Sequence, residues 1–201
     1  ASASDDEPRG SSDERRTGCA SFCAMRPTYA GRDRVAPDFE LPDMNGERVK
    51  LSSFRGKTVV LNFWTKTCQP CLKEMPALQD LGKIAKQRGD VVLITVSTDA
   101  GPDAVRETLQ VVMNGEEPSF PVLFDPDLEV VKEKYGTTLY PETWIIDPQG
   151  YIRARFDGER EWASPFAIEV ADMAGNGPGC PVGFAKGEPT GPFASLCATE
   201  P

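Results

Sequence analysis

The sequence predicts an α/β fold in which helices flank a mixed central sheet. Two apolar runs, at residues 58–65 and 91–97, have the length and composition of strands that are covered on both faces. Segments of helical periodicity follow them at residues 69–88 and 102–113. Two strands joined by a turn rich in Asp, Pro and Gly then occupy residues 142–156. Strands that alternate with helices and end in a hairpin are typical of a mixed sheet.

Shorter elements complete the predicted order. A hairpin within residues 35–51 is expected to turn at Asn45-Gly46, because both residues tolerate positive φ. A strand and a helix are predicted over residues 121–135, with the helix starting at Asp125. A Ser-Pro pair, an N-cap followed by a first-turn residue, predicts a last helix over residues 164–174.

The chain of 201 residues is expected to form one folded domain with two appendages. Residues 1–34 are a polar arm in which acidic and basic side chains are equal in number. The folded domain is predicted at residues 35–174. Residues 175–201, rich in Gly and Pro, are predicted to be an irregular tail laid over the surface.

Charge and composition exclude several classes of function. The net charge of −9 argues against nucleic acid and anionic membrane surfaces, because the sequence contains no basic stripe. The chain has no histidine, which excludes Cys-His and Ser-His catalysis and metal sites built on histidine. No apolar run reaches the roughly 18 residues of a membrane-spanning helix. A chain that opens at Ala1 has the form expected of a mature product whose targeting segment was removed.

Two of the six cysteines, Cys68 and Cys71, stand at the junction between the first apolar strand and its helix. A sulfur at a helix N-terminus meets unpaired N–H groups and the positive end of the macrodipole, which favour the thiolate of Cys68. Cys71, one turn further, is expected to be more buried and to resolve a mixed disulfide. Zinc sites use the same spacing, and so do inert disulfides, but zinc would need two further cysteines here. The flanking strand and helix favour redox chemistry.

The four remaining cysteines, Cys19, Cys23, Cys180 and Cys197, lie in the two appendages. An even number of such residues predicts structural disulfides and an oxidising compartment. Their pairing is open, either within each appendage or crossed between the two. The crossed pattern is favoured because the Cys19–Cys23 loop is tight for a disulfide. A Cu(I) site from Cys19, Cys23 and Met25 is an alternative.

Several stretches between residues 35 and 174 share their residues with one known family. They are Pro37-Asp38-Phe39-Glu40-Leu41, Leu61-Asn62-Phe63-Trp64, Cys68-x-x-Cys71-Leu72-Lys73-Glu74-Met75-Pro76, Phe120-Pro121-Val122-Leu123-Phe124-Asp125, Tyr140-Pro141-Glu142-Thr143-Trp144 and Gly158-Glu159-Arg160-Glu161-Trp162. The chain thereby resembles the TlpA/ResA-like thiol–disulfide oxidoreductases of bacterial envelopes, a branch of the thioredoxin superfamily. The resemblance implies a thioredoxin-like fold with an N-terminal β-hairpin and a protein-disulfide oxidoreductase that needs no cofactor.

The resemblance also implies roles for individual residues. Because Asn62 stands where thioredoxins carry a buried Asp, Glu74 is expected to exchange the proton of Cys71. Pro141 is expected to follow a cis peptide bond and to lie opposite the dithiol. A cis-proline there would leave the neighbouring backbone free to pair with an extended client peptide. Thr67 occupies a position at which the family usually has a second Trp.

Four residues are expected to contact a client: Trp64, Gln69, Pro70 and Tyr140. Trp64 is also expected to pack beside the dithiol, and a role as an aromatic residue of the core fits it equally well. By resemblance, the protein is expected to be a monomer that reduces protein clients through mixed disulfides. Candidate clients are apocytochrome c and proteins of copper and oxidase assembly. An upstream thiol donor or acceptor would reset the dithiol. The expected location is periplasmic or otherwise extracytoplasmic, with a membrane tether through the removed N-terminal segment as an option.

Two other functions fit parts of the sequence. The opening block also resembles peroxiredoxins, which use Pro-x-x-x-Thr-x-x-Cys to activate peroxide. Thr65 stands correctly before Cys68 for that motif, but Leu61 occupies the proline position. A copper carrier without enzymatic activity is the second alternative.

Overall fold

The computed structural model describes residues 35–164, 183–185 and 188–190, and its first elements form a small hairpin. Strands β1 (Glu40–Pro42) and β2 (Arg48–Lys50) pair antiparallel, and a 3-10 helix (Leu51–Phe54) follows. Asp43 Oδ1 accepts hydrogen bonds from the backbone N–H groups of Asn45 and Glu47, which closes the predicted turn.

A five-stranded sheet forms the centre of the fold. Its strands are β3 (Thr58–Trp64), β4 (Val91–Ser97), β5 (Val122–Phe124), β6 (Glu142–Ile146) and β7 (Ile152–Asp157). They lie in the order β5-β4-β3-β6-β7. Strands β3, β4 and β5 are parallel to one another, β6 is antiparallel to β3, and β7 is antiparallel to β6. All residues of β3 are buried, as expected of a central strand. The predicted mixed sheet is confirmed.

Two helices connect the parallel strands. Helix α1 (Gln69–Arg88) joins β3 to β4, and helix α2 (Pro102–Val112) joins β4 to β5. Gly89 ends α1 with a φ of 81°, the left-handed conformation that glycine adopts without steric cost. Both predicted helices are confirmed, and their bounds differ from the prediction by at most one residue.

The helix predicted from Asp125 to Tyr135 is wrong at its start. A π-helix (Glu129–Lys134) is found instead, preceded by Leu128 with a φ of 61°. A left-handed residue interrupts a right-handed helix, so no helix runs from Asp125 through Leu128. Asp125 instead caps the π-helix, since its Oδ2 accepts hydrogen bonds from Val130 N (2.9 Å) and Val131 N (2.8 Å).

The core has one apolar cluster on each face of the sheet. Val60 and Trp64 of β3 belong to the cluster that contains the buried face of α1, including Cys71, Met75 and Leu78. Val59, Leu61 and Phe63 belong to the cluster that contains Tyr135 and Trp144. Because side chains alternate along a strand, Asn62 shares the face of Val60 and Trp64 and points toward α1.

The predicted irregular tail is wrong for six residues. Strands β8 (Gly183–Ala185) and β9 (Glu188–Thr190) pair antiparallel as a second hairpin. Strands of only three residues are too short to give the alternating pattern by which a strand is predicted. The predicted helix at 164–174 and the cysteines of both appendages lie outside the described residues. In the part of the chain that is described, no helix has the length and apolarity that a membrane crossing requires.

Candidate active site

The two central cysteines form a disulfide at the N-terminus of α1. Their Cα atoms are 5.2 Å apart. Cys68 is the N-cap residue, and its Sγ accepts a hydrogen bond of 3.2 Å from Cys71 N. Cys71 is fully buried, whereas Cys68 is partly exposed. A client can therefore reach only the Cys68 sulfur.

The N-terminus of α1 favours a negative charge on Cys68. Its first turn contains a proline and no acidic residue, so no carboxylate within the turn offsets the positive end of the helix dipole. The N-cap position also places Sγ against a backbone N–H group that would otherwise lack a partner. Both effects stabilise the thiolate once the disulfide is reduced.

Glu74, one turn after Cys71, is a buried carboxyl group with only 3% of its surface exposed. Oε1 accepts a hydrogen bond from Asn62 Nδ2 (2.8 Å), and Oε2 accepts from Trp162 Nε1 (2.9 Å) and Arg160 N (3.1 Å). Burial raises the pKa of Glu74 to about 7, although these three donors act to lower it. Glu74 is therefore balanced between its two protonation states at neutral pH.

The segment after β7 closes over this carboxyl group. Besides the two donors to Glu74, the segment contributes Glu159, which forms an ion pair with Lys73 of α1. Trp162 is 2% exposed, and its ring packs edge-on against Phe156 at 5.7 Å between centroids. Sequence reasoning did not find these contacts with Glu74. The available signal was the family-like stretch at residues 158–162.

Asn62 connects Glu74 to the neighbouring strand. Its Nδ2 donates a second hydrogen bond, of 2.9 Å, to Thr143 Oγ1 of β6. The Oδ1 atom of Asn62 is buried and has no hydrogen-bond partner. The side-chain amide of Asn62 therefore acts as a donor only, and sequence reasoning did not find the contribution of Thr143.

Pro141 lies at the same end of the sheet as the disulfide. The Tyr140–Pro141 peptide bond is cis, as the resemblance implied. Glu142 pairs with Phe63 in the antiparallel register of β6 and β3, which places Pro141 beside Trp64 at the end of β3. Thr137 donates a hydrogen bond to the buried carboxyl group of Glu142. This bond connects the two ends of the loop that contains Pro141.

The four predicted client contacts differ in accessibility. Gln69 and Pro70 are exposed beside Cys68, and Tyr140 is partly exposed on the loop before Pro141. The client contact predicted for Trp64 is wrong, because its side chain is fully buried in the cluster that contains Cys71, in the core position that the sequence equally allowed. Trp64 thus packs in the core as part of the cluster that contains Cys71, and its side chain is not accessible to a client.

Thr65 does not have the surroundings that the peroxidase alternative requires. Its hydroxyl donates a hydrogen bond of 3.2 Å to Asp99 Oδ1. Leu61, at the position of the motif proline, is fully buried in the apolar core. The two motif positions that precede Cys68 are thus engaged in other contacts.

A disulfide at the start of the helix that follows a central strand, with a cis-proline beside it, defines a thioredoxin-like protein. A model of the AhpC/TSA family matches residues 33–155. The thiol-disulfide oxidoreductase ResA of Bacillus subtilis (strain 168) is 35% identical over 140 residues, which cover 67% of this chain and 75% of the relative. This chain belongs to the AhpC/TSA family and is a protein-disulfide oxidoreductase.

Two solved structures agree with this assignment. The thioredoxin domain of a thiol-disulfide oxidoreductase from Bacteroides vulgatus aligns with a TM-score of 0.58 and 25% identity, covering 71% of this chain and 96% of that chain. A thiol:disulfide interchange protein from Bacteroides sp. aligns with a TM-score of 0.58 and 25% identity, covering 75% and 93%. The thioredoxin-like fold and the enzyme class predicted from the sequence are both confirmed.

Proposed function

We propose that the protein reduces disulfide bonds of protein clients, with Cys68 as nucleophile, Cys71 as resolving thiol and Glu74 as proton acceptor. The observation that carries the proposal is the buried Glu74 carboxyl group, one helical turn after Cys71, with a pKa of about 7. A proton acceptor of this kind is needed because the buried Cys71 must lose its proton before it can attack.

The first step joins the protein to its client. The Cys68 thiolate of the reduced protein attacks one sulfur of the client disulfide. A Cys68–client disulfide bond forms, the client S–S bond breaks, and the released client sulfur leaves as a thiolate that takes a proton from solvent. The partial exposure of Cys68 and the full burial of Cys71 support this order.

The second step releases the client. Cys71 transfers its proton to the Glu74 carboxylate, and the resulting thiolate attacks the Cys68 sulfur. The mixed disulfide breaks, the second client sulfur leaves as a thiolate, and the Cys68–Cys71 disulfide forms. The client has then gained two electrons from the protein, and Glu74 can return its proton to the departing client thiolate.

Client binding is assigned to the surface around Cys68. Gln69 and Pro70 on one side and Tyr140 and Pro141 on the other are the proposed contacts. The backbone beside Pro141 would pair with an extended client segment. This arrangement is supported by the register of β6 and β3, which places the Pro141 loop beside the turn that leads to Cys68.

The proposed setting is an oxidising, extracytoplasmic compartment. It is supported by the even number of cysteines in the appendages, Cys19, Cys23, Cys180 and Cys197, which are proposed to form structural disulfides. Apocytochrome c and proteins of copper or oxidase assembly are the proposed clients. A separate thiol donor must then reduce the Cys68–Cys71 disulfide after each turnover.

The test is a single-turnover reaction of the reduced protein with insulin, a protein that contains disulfides. The wild type should reduce insulin, and Cys68→Ser should be inactive. Cys71→Ser should accumulate a covalent adduct with an insulin chain that dithiothreitol releases. Insulin reduction by Cys68→Ser, or the absence of an adduct with Cys71→Ser, would contradict the assigned roles.

A further inference from the structure

Asp99 forms hydrogen bonds with the turn that leads to Cys68, the proposed nucleophile. It follows β4, whose Ser97 pairs with Trp64 at the end of β3. Asp99 Oδ2 accepts a hydrogen bond of 2.8 Å from Lys66 N, and Asp99 Oδ1 accepts the Thr65 hydroxyl at 3.2 Å. One carboxylate therefore contacts two successive residues between β3 and the dithiol.

The carboxylate of Asp99 is itself held by hydrogen bonds with Ser97. The fully buried Ser97 donates a hydrogen bond of 2.8 Å from its Oγ to Asp99 Oδ2 and accepts one of 3.1 Å from Asp99 N. Thr98 N donates to Trp64 O at 3.1 Å, which joins the ends of the two strands. Such a closed set of contacts leaves the Asp99 side chain little freedom.

The turn held by Asp99 ends at Cys68. Cys68 N donates a hydrogen bond of 3.0 Å to Thr65 O, so residues 65–68 form one closed turn. The position of the Cys68 sulfur at the N-terminus of α1 depends on the backbone of this turn. No Pro occurs within the turn to restrict its backbone, so the contacts from Asp99 add to the one hydrogen bond that closes it.

Resting on the function proposed above, we propose that Asp99 is a positioning residue for Cys68. Its carboxylate holds residues 65–68 in the conformation in which the Cys68 sulfur caps helix α1. Asp99 acts through Thr65 and Lys66, the two residues of the turn that its carboxylate contacts. A displacement of the turn would move the nucleophile away from the backbone N–H groups that stabilise its thiolate.

Two substitutions separate positioning from charge. Asp99→Asn and Asp99→Ala both remove one negative charge near the dithiol. The amide of Asn can still accept from Lys66 N through its oxygen and can donate to Thr65 Oγ1, whereas Ala keeps neither contact. The difference between the two variants therefore measures positioning alone. Asp103→Ala, which removes an exposed carboxylate in the first turn of α2, is the matched control.

The measurements are the thiolate pKa of Cys68, read by ultraviolet absorbance of the reduced protein, and the rate of insulin reduction. Asp99→Ala should react about tenfold more slowly than Asp99→Asn. Its Cys68 pKa should also be higher than that of Asp99→Asn. Asp103→Ala should match the wild type. Three other titratable side chains belong to elements near Cys68. They are Lys66, Glu74 and Tyr140, and they are unchanged in all of these variants.

Equal rates and equal Cys68 pKa values in Asp99→Ala and Asp99→Asn would overturn the proposal, even if both variants were less stable than the wild type. Should Asp99→Ala fail to fold, Thr65→Val removes one of the two contacts, and an unchanged rate and Cys68 pKa in that variant would overturn it instead. A wild type that does not reduce insulin would contradict the proposed function. The Cys68 pKa would still test Asp99 in that case.

Discussion

Asn62 donates a hydrogen bond of 2.8 Å to the carboxyl group of Glu74 and so links the central strand β3 to the first turns of α1. The same amide nitrogen donates to Thr143 Oγ1, and its own oxygen has no partner. A buried acceptor without a partner is destabilising by about 1–3 kcal/mol. The amide is nevertheless oriented with its nitrogen toward Glu74. The hydrogen bond that this nitrogen donates stabilises the ionised form of Glu74, whereas burial favours the protonated form.

The substitution Glu74→Gln should slow disulfide exchange and remove an inflection near pH 7 from its pH–rate profile. The reason is that an amide cannot accept the Cys71 proton, while Asn62 and Trp162 can still donate to its oxygen. The measurement is the rate of insulin reduction between pH 5 and pH 9. Asp80→Asn, which removes an exposed carboxylate further along the same helix, is the control. A profile identical to that of the wild type would exclude Glu74 from proton transfer.

Replacing Asn62 by Ala should raise the pKa of Glu74 above 7, since a donor that stabilises the carboxylate is lost while burial remains. The shift can be followed by NMR titration of the Glu74 side chain. Thr143→Val is the matched control, because it removes the second acceptor of Asn62 and leaves the contact with Glu74. It should move the pKa of Glu74 less. A lower pKa in Asn62→Ala would contradict this account of the site.

The free energy of unfolding should contain a pH-dependent contribution from Glu74. Its pKa is raised on folding from 4.5 to about 7, so the folded state binds the proton more tightly than the unfolded state. The contribution is fully present below pH 4.5 and is lost as the pH rises through 7. The linkage relation gives a loss of about 3 kcal/mol. Urea unfolding at pH 5 and pH 8 should show it as a difference between the wild type and Glu74→Gln. An equal change in both proteins would contradict it.

Gly82→Ala should destabilise the protein despite the higher helix propensity of Ala. A Cβ atom at this position would overlap the Ser119 hydroxyl and lie 3.0 Å from Phe120 Cδ1. Overpacking of this kind costs about 1–3 kcal/mol, whereas the gain in propensity is about 1 kcal/mol. Thermal unfolding of Gly82→Ala, Ser119→Ala and the double variant is the test. Because Ser119→Ala removes part of the overlap, the double variant should lose less stability than the sum of the single variants.

The elements that the sequence predicted well are those whose signals are local. The apolar runs of β3 and β4, the periodicity of α1 and the two cysteines at its start are each contained in fewer than 25 successive residues. The resemblance to known oxidoreductases added the cis bond before Pro141. The location of the dithiol, which depends on one strand and the helix after it, could therefore be predicted from the sequence.

Other features depend on contacts that local patterns do not encode. Trp162 is 88 residues from Glu74 in the chain, and Asp99 is 33 residues from Lys66, so neither contact has a local signal. The sequence could not decide between a buried and a client-facing Trp64, because an aromatic residue at the end of a strand fits the core and the surface equally well. Leu128 adopts a left-handed conformation with a φ of 61°, which Gly, Asn and Asp favour, so its residue type gave no signal for the interruption.

The unequal burial of the two sulfurs makes the reduced site a single target for alkylating reagents. Cys71 has no exposed surface, while Cys68 is partly open at the end of α1. A short pulse of iodoacetamide should therefore tag one sulfur of the pair and leave the other unmodified. The fraction of tagged molecules, counted by mass spectrometry, would then report how much of the protein is reduced in its native compartment.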